Sequence, residues 1–97
     1  MFTQPKFADA FPQLTIGQSQ RMGGVSPFPK NALNLGLYTE DGLENVLENR
    51  RRFARAINWN VNQIAGAKQT HGSAIHRVIS AGEYVGYDAL ITNQKNI

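Results

Sequence analysis

Asp41-Gly42-Leu43-Glu44-Asn45-Val46-Leu47-Glu48-Asn49-Arg50-Arg51-Arg52-Phe53-Ala54-Arg55-Ala56-Ile57-Asn58 is the stretch that decides the fold. Leu43, Val46, Leu47, Phe53, Ala54 and Ile57 recur at helical spacing along one face. Glu44, Glu48, Arg51, Arg52 and Arg55 fall on the other. Asp41 is suited to cap the first turn, with Glu44 three residues on as its capping-box partner. Glu48 stands four residues before Arg52, the favourable order for an exposed pair, worth roughly a few tenths of a kcal/mol. Asn58 is a stop signal. The spacing predicts one long helix near residues 41–58. Arg50 breaks the pattern, because it lands in the middle of the apolar stripe. A guanidinium is almost never buried without a partner, so it either snorkels out or meets an acceptor beneath the helix. An ion pair or carbonyl clamp is one reading, and an arginine reaching a site under the helix is the other.

On the C-terminal side of this helix the chain reads as strands. Residues 61–70 run from apolar and small side chains into the polar Lys68-Gln69-Thr70-His71-Gly72, which puts a histidine at the end of a strand. Residues 74–79 alternate, with Ile75, Arg77 and Ile79 on one side and Ala74, His76 and Val78 on the other. Residues 82–86 suggest a turn. Tyr87-Asp88-Ala89-Leu90-Ile91-Thr92 has the mostly apolar body of a buried strand. On the N-terminal side, residues 1–12 form an irregular arm and residues 14–19 a weak first strand. Residues 20–29, with two adjacent glycines and two prolines, read as a loop. A glycine pair there permits φ > 0 or lets backbone approach a ligand closely. Asn34 interrupts a short apolar stretch, where it either hydrogen-bonds backbone in a turn or points into a pocket. Strands around one helix make the fold class α/β or α+β.

Composition sets the limits. Ninety-seven residues make one domain at most, with a small core. A hydrophobic fraction of 41% and a charged fraction of 18% indicate a globular chain. No apolar run is long enough to span a membrane, and the N-terminus lacks the basic and apolar regions of a signal peptide. A cytoplasmic location is therefore expected. The net charge of +3 is mild, and no basic stripe interleaved with aromatics points to nucleic acid. There is no cysteine, which excludes disulfides and thiolate ligands within these residues. The two histidines, His71 and His76, cannot by themselves supply the three or four ligands of a zinc site. No G-x-S-x-G elbow or phosphate-loop glycine pattern occurs.

Five strings then occur in order: Arg21-Met22-Gly23-Gly24-Val25-Ser26, Leu33-Asn34-Leu35-Gly36, Glu48-Asn49-Arg50-Arg51, Gln69-Thr70-His71-Gly72 and Tyr87-Asp88-Ala89-Leu90-Ile91-Thr92. Together they resemble the N-terminal part of the laccase-domain, or multicopper polyphenol oxidase-like, family, also called purine nucleoside phosphorylase-like. The resemblance implies part of a single domain with a layered α/β sandwich fold. It implies a zinc site whose ligands are the histidine of the Q-x-H-G string and a cysteine and histidine of later strings. Only the first maps here, onto His71, which becomes the metal-binding and catalytic candidate. Arg21, Asn34 and Arg50 are the substrate-binding candidates, arginine being matched to phosphate oxygens. The implied substrates are a purine nucleoside and phosphate or water, in phosphorolysis, deamination or methylthioadenosine cleavage. A metal with one open position suits holding a water or an oxygen nucleophile. Copper is not expected, since a His₂Cys constellation cannot be assembled in this chain. The competing expectation is a non-catalytic binding module of the same fold.

Overall fold

The computed structural model describes residues 1–97, which form two compact units, Met1–Trp59 and Asn60–Ile97. The architecture is mixed α/β, with one α-helix and several short strands, as the pattern of helix and strand signals requires. No helix is long and apolar enough to cross a membrane.

The first unit is built on helix α1, Leu43–Ala56, and strand β3, Met22–Ser26. Two further short strands, β1 (Phe2–Thr3) and β2 (Gln18–Ser19), pair antiparallel. The arm between them contains a 3₁₀ turn at Lys6–Ala10. Strand β3 corrects the loop expected over residues 20–29. Its glycines serve the chain's own packing. Gly23 and Gly24 donate their amides to the Asn31 carbonyl at 3.1 and 3.0 Å, and Leu33 donates to the Arg21 carbonyl at 2.6 Å. A Cβ on Gly24 would collide with the Ala32 carbonyl and with Asn49 Oδ1, and would lie 2.7 Å from the Leu33 Cα. Only glycine admits an approach this close.

The helix begins differently from expectation. Gly42 is the N-cap residue and no side chain caps the first turn. The Asp41 carboxylate instead accepts from Ser26 Oγ, from Asn34 Nδ2 at 3.1 Å and from Asn45 Nδ2 at 2.9 Å. It clamps the strand, the preceding loop and the helix together, so the Asp41–Glu44 capping box does not form. The C-terminus behaves as the asparagine signal predicts. Asn58 has φ +59, its amide donates to the Arg55 carbonyl, and the Trp59 amide donates to the Ala54 carbonyl at 2.7 Å. This is a Schellman ending with asparagine in the left-handed position.

Val46, Ala54 and Ile57 are buried with Ala32 and Leu33, and Phe53 packs edge-on against Phe2. Leu43 and Leu47, assigned to the buried stripe by spacing, are exposed. The buried face is turned toward Asn49, which is fully inaccessible to solvent. Asn49 Oδ1 accepts from the Val25 amide at 2.8 Å, and Nδ2 donates to Ser26 Oγ and to the Asn34 carbonyl, each at 2.9 Å. Glu48 pairs with Arg52 at 2.9 Å, as expected, and with Arg51 at 3.0 Å.

The second unit starts with a 3₁₀ turn, Val61–Gln63, and then interleaves four strands: β4 (Ala65–Lys68), β5 (Ile75–Arg77), β6 (Gly82–Val85) and β7 (Ala89–Ile91). Strand β4 pairs parallel with β6, from Ala65 opposite Gly82 to Lys68 opposite Val85. Strand β5 pairs parallel with β7, from Ile75 opposite Ala89 to Arg77 opposite Ile91. Each connection therefore carries a strand of the other pair. The turn expected over residues 82–86 is strand β6, with its two glycines at its limits. Gly86, at φ +91, ends the strand and donates to the Lys68 carbonyl at 3.1 Å. Val78 is the buried apolar residue of this unit, while Ile75, Ile79, Val85 and Ile91 stay exposed. The alternation expected over residues 74–79 is observed from Ile75 to Ile79, while Ala74 is exposed.

Two stability measurements follow from this packing. Asn49→Ala leaves a buried amide, hydroxyl and carbonyl short of a partner, and should lower the unfolding free energy by about 2–4 kcal/mol. Leu47→Ala, on the exposed flank, should change it by less than about 1 kcal/mol. Urea denaturation checks both, and equal losses would remove the special place given to Asn49. Asp41 gives the second. Hydrogen bonds from Asn45 and then Ser26 hold its carboxyl below the ordinary aspartate range. A folded-state value below the unfolded one contributes stability above about pH 3.9 that is lost as pH falls through the folded value. Asp41→Asn should therefore be the less stable protein at pH 7, with the gap closing as pH falls below about 3.9. A gap independent of pH would contradict this.

Candidate functional site

His71 lies in the Asn60–Ile97 unit, just past the end of β4 and before β5. Its backbone is left-handed, at φ +59. That conformation costs an L-residue roughly 1–2 kcal/mol and turns consecutive amides toward one point, making a concavity for an anion. The anion is internal. Asp88 Oδ1 accepts from the Thr70 amide at 2.9 Å and the His71 amide at 2.7 Å, and Oδ2 accepts from the Gly72 amide at 2.8 Å. Thr70 Oγ1 adds a fourth bond at 3.2 Å. Partial withdrawal from water pushes the Asp88 carboxyl upward, but the amides of Gly72, His71 and Thr70 outweigh it, and the group rests below its ordinary range. Asp88 is itself placed by its amide, which donates to the Ala74 carbonyl at 3.0 Å. Gln69 Nε2 reaches the Asp88 carbonyl at 3.5 Å, a weak pairing with backbone.

The two histidines have different surroundings. His76, on β5, packs against the rings of Tyr84 and Tyr87, each with its centroid 4.6 Å away and tilted by 35°. Its ring is part of the packing, in contacts each worth about 0.5–1.5 kcal/mol. The His71 side chain is exposed, and its hydrogen bonding within the unit runs through its backbone amide. Its imidazole is the more exposed of the two.

Arg21, Asn34 and Arg50 belong to the Met1–Trp59 unit, where they gather around residues 33–35. The Arg21 carbonyl accepts from the Leu33 amide, and the Arg21 side chain is exposed. Asn34 Oδ1 accepts from the Gly36 amide at 3.0 Å, closing a local turn, while Nδ2 donates to Thr39 Oγ1 at 3.0 Å and to Asp41. Both amide hydrogens of Asn34 are therefore engaged within the loop. Arg50 is half-buried, and its Nε donates to the Leu35 carbonyl at 2.9 Å, which is the carbonyl clamp among its two expected roles. Asn49 and Asp88, which organise these two regions, were not among the expected site residues. Asn49 could have been noticed as a second polar residue on the apolar side of the helix. Asp88 could have been noticed as a charge opening an otherwise apolar strand.

The donor set can be tested against zinc. An imidazole is the right kind of ligand, but no group of three or more His, Cys, Asp or Glu side chains comes together. The donor chemistry fits and the donor number does not, so these residues alone do not build the centre.

The left-handed backbone at His71 is open to a direct check. His71→Gly and His71→Ala both remove the imidazole, but only glycine relieves the positive φ. His71→Gly should be the more stable of the two by roughly 1 kcal/mol. Denaturation midpoints measure the difference, and equal stability would deny the strain.

Comparison with known proteins places this geometry in a family. The family model described as multi-copper polyphenol oxidoreductase laccase matches residues 15–97. A purine nucleoside phosphorylase of Staphylococcus saprophyticus is 31% identical over 75 residues, which are 77% of this chain and 29% of that protein. The purine nucleoside phosphorylase YlmD of Bacillus subtilis is 30% identical over 95 residues, covering 88% of this chain and 34% of that one. The crystal structure of YlmD from Geobacillus stearothermophilus matches with a TM-score of 0.78 at 28% identity, over 84% of this chain and 34% of that one. The chain spans about a third of the length of the curated relatives it matches. With the family model running from Thr15 to the last residue and the fold shared with YlmD, this chain belongs to the multi-copper polyphenol oxidoreductase laccase family.

Proposed function

We propose that these residues supply the histidine arm of a zinc-dependent centre that acts on purine nucleosides, with His71 as a zinc ligand. The observation that carries the reading is the exposed imidazole of His71 on a loop pinned by four hydrogen bonds to one carboxylate. The names of the relatives, purine nucleoside phosphorylases, give the substrate class. Arg21 and Arg50 are cationic groups suited to phosphate oxygens. Asn34 contributes by shaping the turn beside them, and its remaining oxygen lone pair is its one direct means of touching a ligand. Phosphorolysis is the favoured chemistry over deamination because the named relatives are phosphorylases. No step is assigned to zinc from these residues, since they bring one donor of the three or four required.

The absence of a three-donor cluster supports a second reading, in which the 97 residues are a non-catalytic module of the same fold. Completion of the centre separates the two. The chain alone should bind zinc more weakly than about micromolar, because one imidazole cannot satisfy the ion. It should not phosphorolyse inosine, adenosine or methylthioadenosine. Mixed with a polypeptide carrying the later cysteine and histidine strings of the family, it should gain tight zinc binding that His71→Ala abolishes. Calorimetry and zinc analysis read the binding, and ultraviolet assay with phosphate reads the activity. Micromolar or tighter zinc binding by the chain alone, lost in His71→Ala, would show that the ligand set is complete here after all. Tight binding in the mixture that survives His71→Ala would rule out the assigned ligand.

A further inference from the structure

We propose that Asp88 is the positioning residue of His71: its carboxylate fills the concavity made by the Thr70, His71 and Gly72 amides and so sets the backbone from which the imidazole projects. The inference rests on the reading of His71 as a ligand, but its geometry stands apart from any metal. Three consecutive amides converge on one carboxylate within 2.7–2.9 Å. Such a concavity, left empty, would attract an external anion. Here it is satisfied from within, so phosphate is not expected at this loop and the imidazole is the part that faces outward. Each carboxylate oxygen has its own task. Oδ1 serves Thr70 and His71, and Oδ2 serves Gly72 and the Thr70 hydroxyl.

The carboxylate reaches the loop from the residue immediately before β7, sixteen to eighteen positions away in sequence. Its own amide is tied to Ala74, on the far side of the loop. Asp88 therefore bridges the exit from β4, the entry to β5 and the entry to β7. A loop of this length without such an anchor samples many backbone states, and a histidine in it would leave the left-handed region, which L-residues disfavour. Charge-assisted bonds to backbone amides are the strong kind, and three of them act at one place. Asp88 itself touches no reacting atom in this scheme. It acts through the direction it gives to His71.

The test is amide hydrogen exchange and ¹⁵N relaxation on the 97-residue chain, with Asp88→Ala, Asp88→Asn and His71→Ala. The amides of Val78, Gly82 and Gly86, which donate to the Ile91, Ile64 and Lys68 carbonyls, report on the rest of the unit. In Asp88→Ala, exchange at Thr70, His71 and Gly72 should rise at least about tenfold, while the three reference amides change far less. The His71 order parameter should fall from about 0.85 to below about 0.6. Asp88→Asn keeps one acceptor oxygen in place of two, so it should preserve protection at Thr70 and His71 and lose it at Gly72. That graded pattern is one that a general loss of stability does not produce. His71→Ala should leave protection at Thr70, residue 71 and Gly72 intact, whether or not it abolishes zinc binding. Unchanged exchange over residues 70–72 in Asp88→Ala would overturn the proposal. So would an equal loss at residues 70–72 and at the three reference amides in both Asp88 variants. Failure of the mixture with the later cysteine and histidine strings to bind zinc, with the amide pattern as expected, would sink the metal reading and leave this one standing.

Discussion

One buried side-chain amide, that of Asn49, holds the Met1–Trp59 unit in register. Its oxygen takes the Val25 amide and its nitrogen gives hydrogens to Ser26 and to the Asn34 carbonyl. The helix, strand β3 and residues 31–35 are thereby fixed by a group that bonds backbone directly. The apolar core around it is small: Val46, Ala54 and Ile57 from the helix, Ala32 and Leu33 from the segment beside β3. In a core of that size a buried polar group without partners would be a large fraction of the stability. Asn49 is tolerated because both ends of its amide are satisfied. Gly24 belongs to the same arrangement, since a side chain there would occupy the space of Asn49 Oδ1.

The Asn60–Ile97 unit uses a charged version of the same device. Asp88 does for the loop over residues 69–72 what Asn49 does for β3, by meeting backbone amides that no ladder pairs. The difference in charge follows from location. Asn49 is inaccessible to solvent, where a carboxylate would bear the desolvation penalty. Asp88 is only half-buried and meets donors alone, so its charge is retained and stabilised. Asp41 stands between these cases, accepting from one hydroxyl and two amides at the start of the helix.

What the sequence made legible was local. The body of the helix, the Glu48–Arg52 pair, the asparagine stop and the inward reach of Arg50 all depend on residues within a few turns of one another, and periodicity reports them. The strands β3 and β6 were hidden because their glycines, and the prolines that follow β3, give turn signals, while their pairing partners lie elsewhere in the chain. The capping box failed for a related reason. Asp41 had the right spacing to Glu44, but Ser26 and Asn34 offered it donors that a local pattern does not contain. At the candidate site, the place of His71 after a strand could be inferred from residues 61–72. Its left-handed backbone could not, because the carboxylate opposite it comes from Asp88.

The contrast between His71 and His76 carries the functional argument furthest. Both are histidines in or beside short strands of one unit, and composition gives no reason to prefer either. Packing separates them: the half-buried His76 ring lies against two tyrosine rings, whereas His71 is held through its backbone and leaves its ring exposed. A ligand needs an open nitrogen and a held ring, and the ring is ordinarily held by a hydrogen bond from its other nitrogen. At His71 the Asp88 carboxylate fixes the backbone, and with it the direction of the Cα–Cβ bond, while the ring stays exposed. The positive φ at His71 then has a physical reason, because that conformation lets three amides reach one carboxylate while the side chain stays exposed. The directional part of a metal site can thus be built into residues that lack the number of donors to complete it.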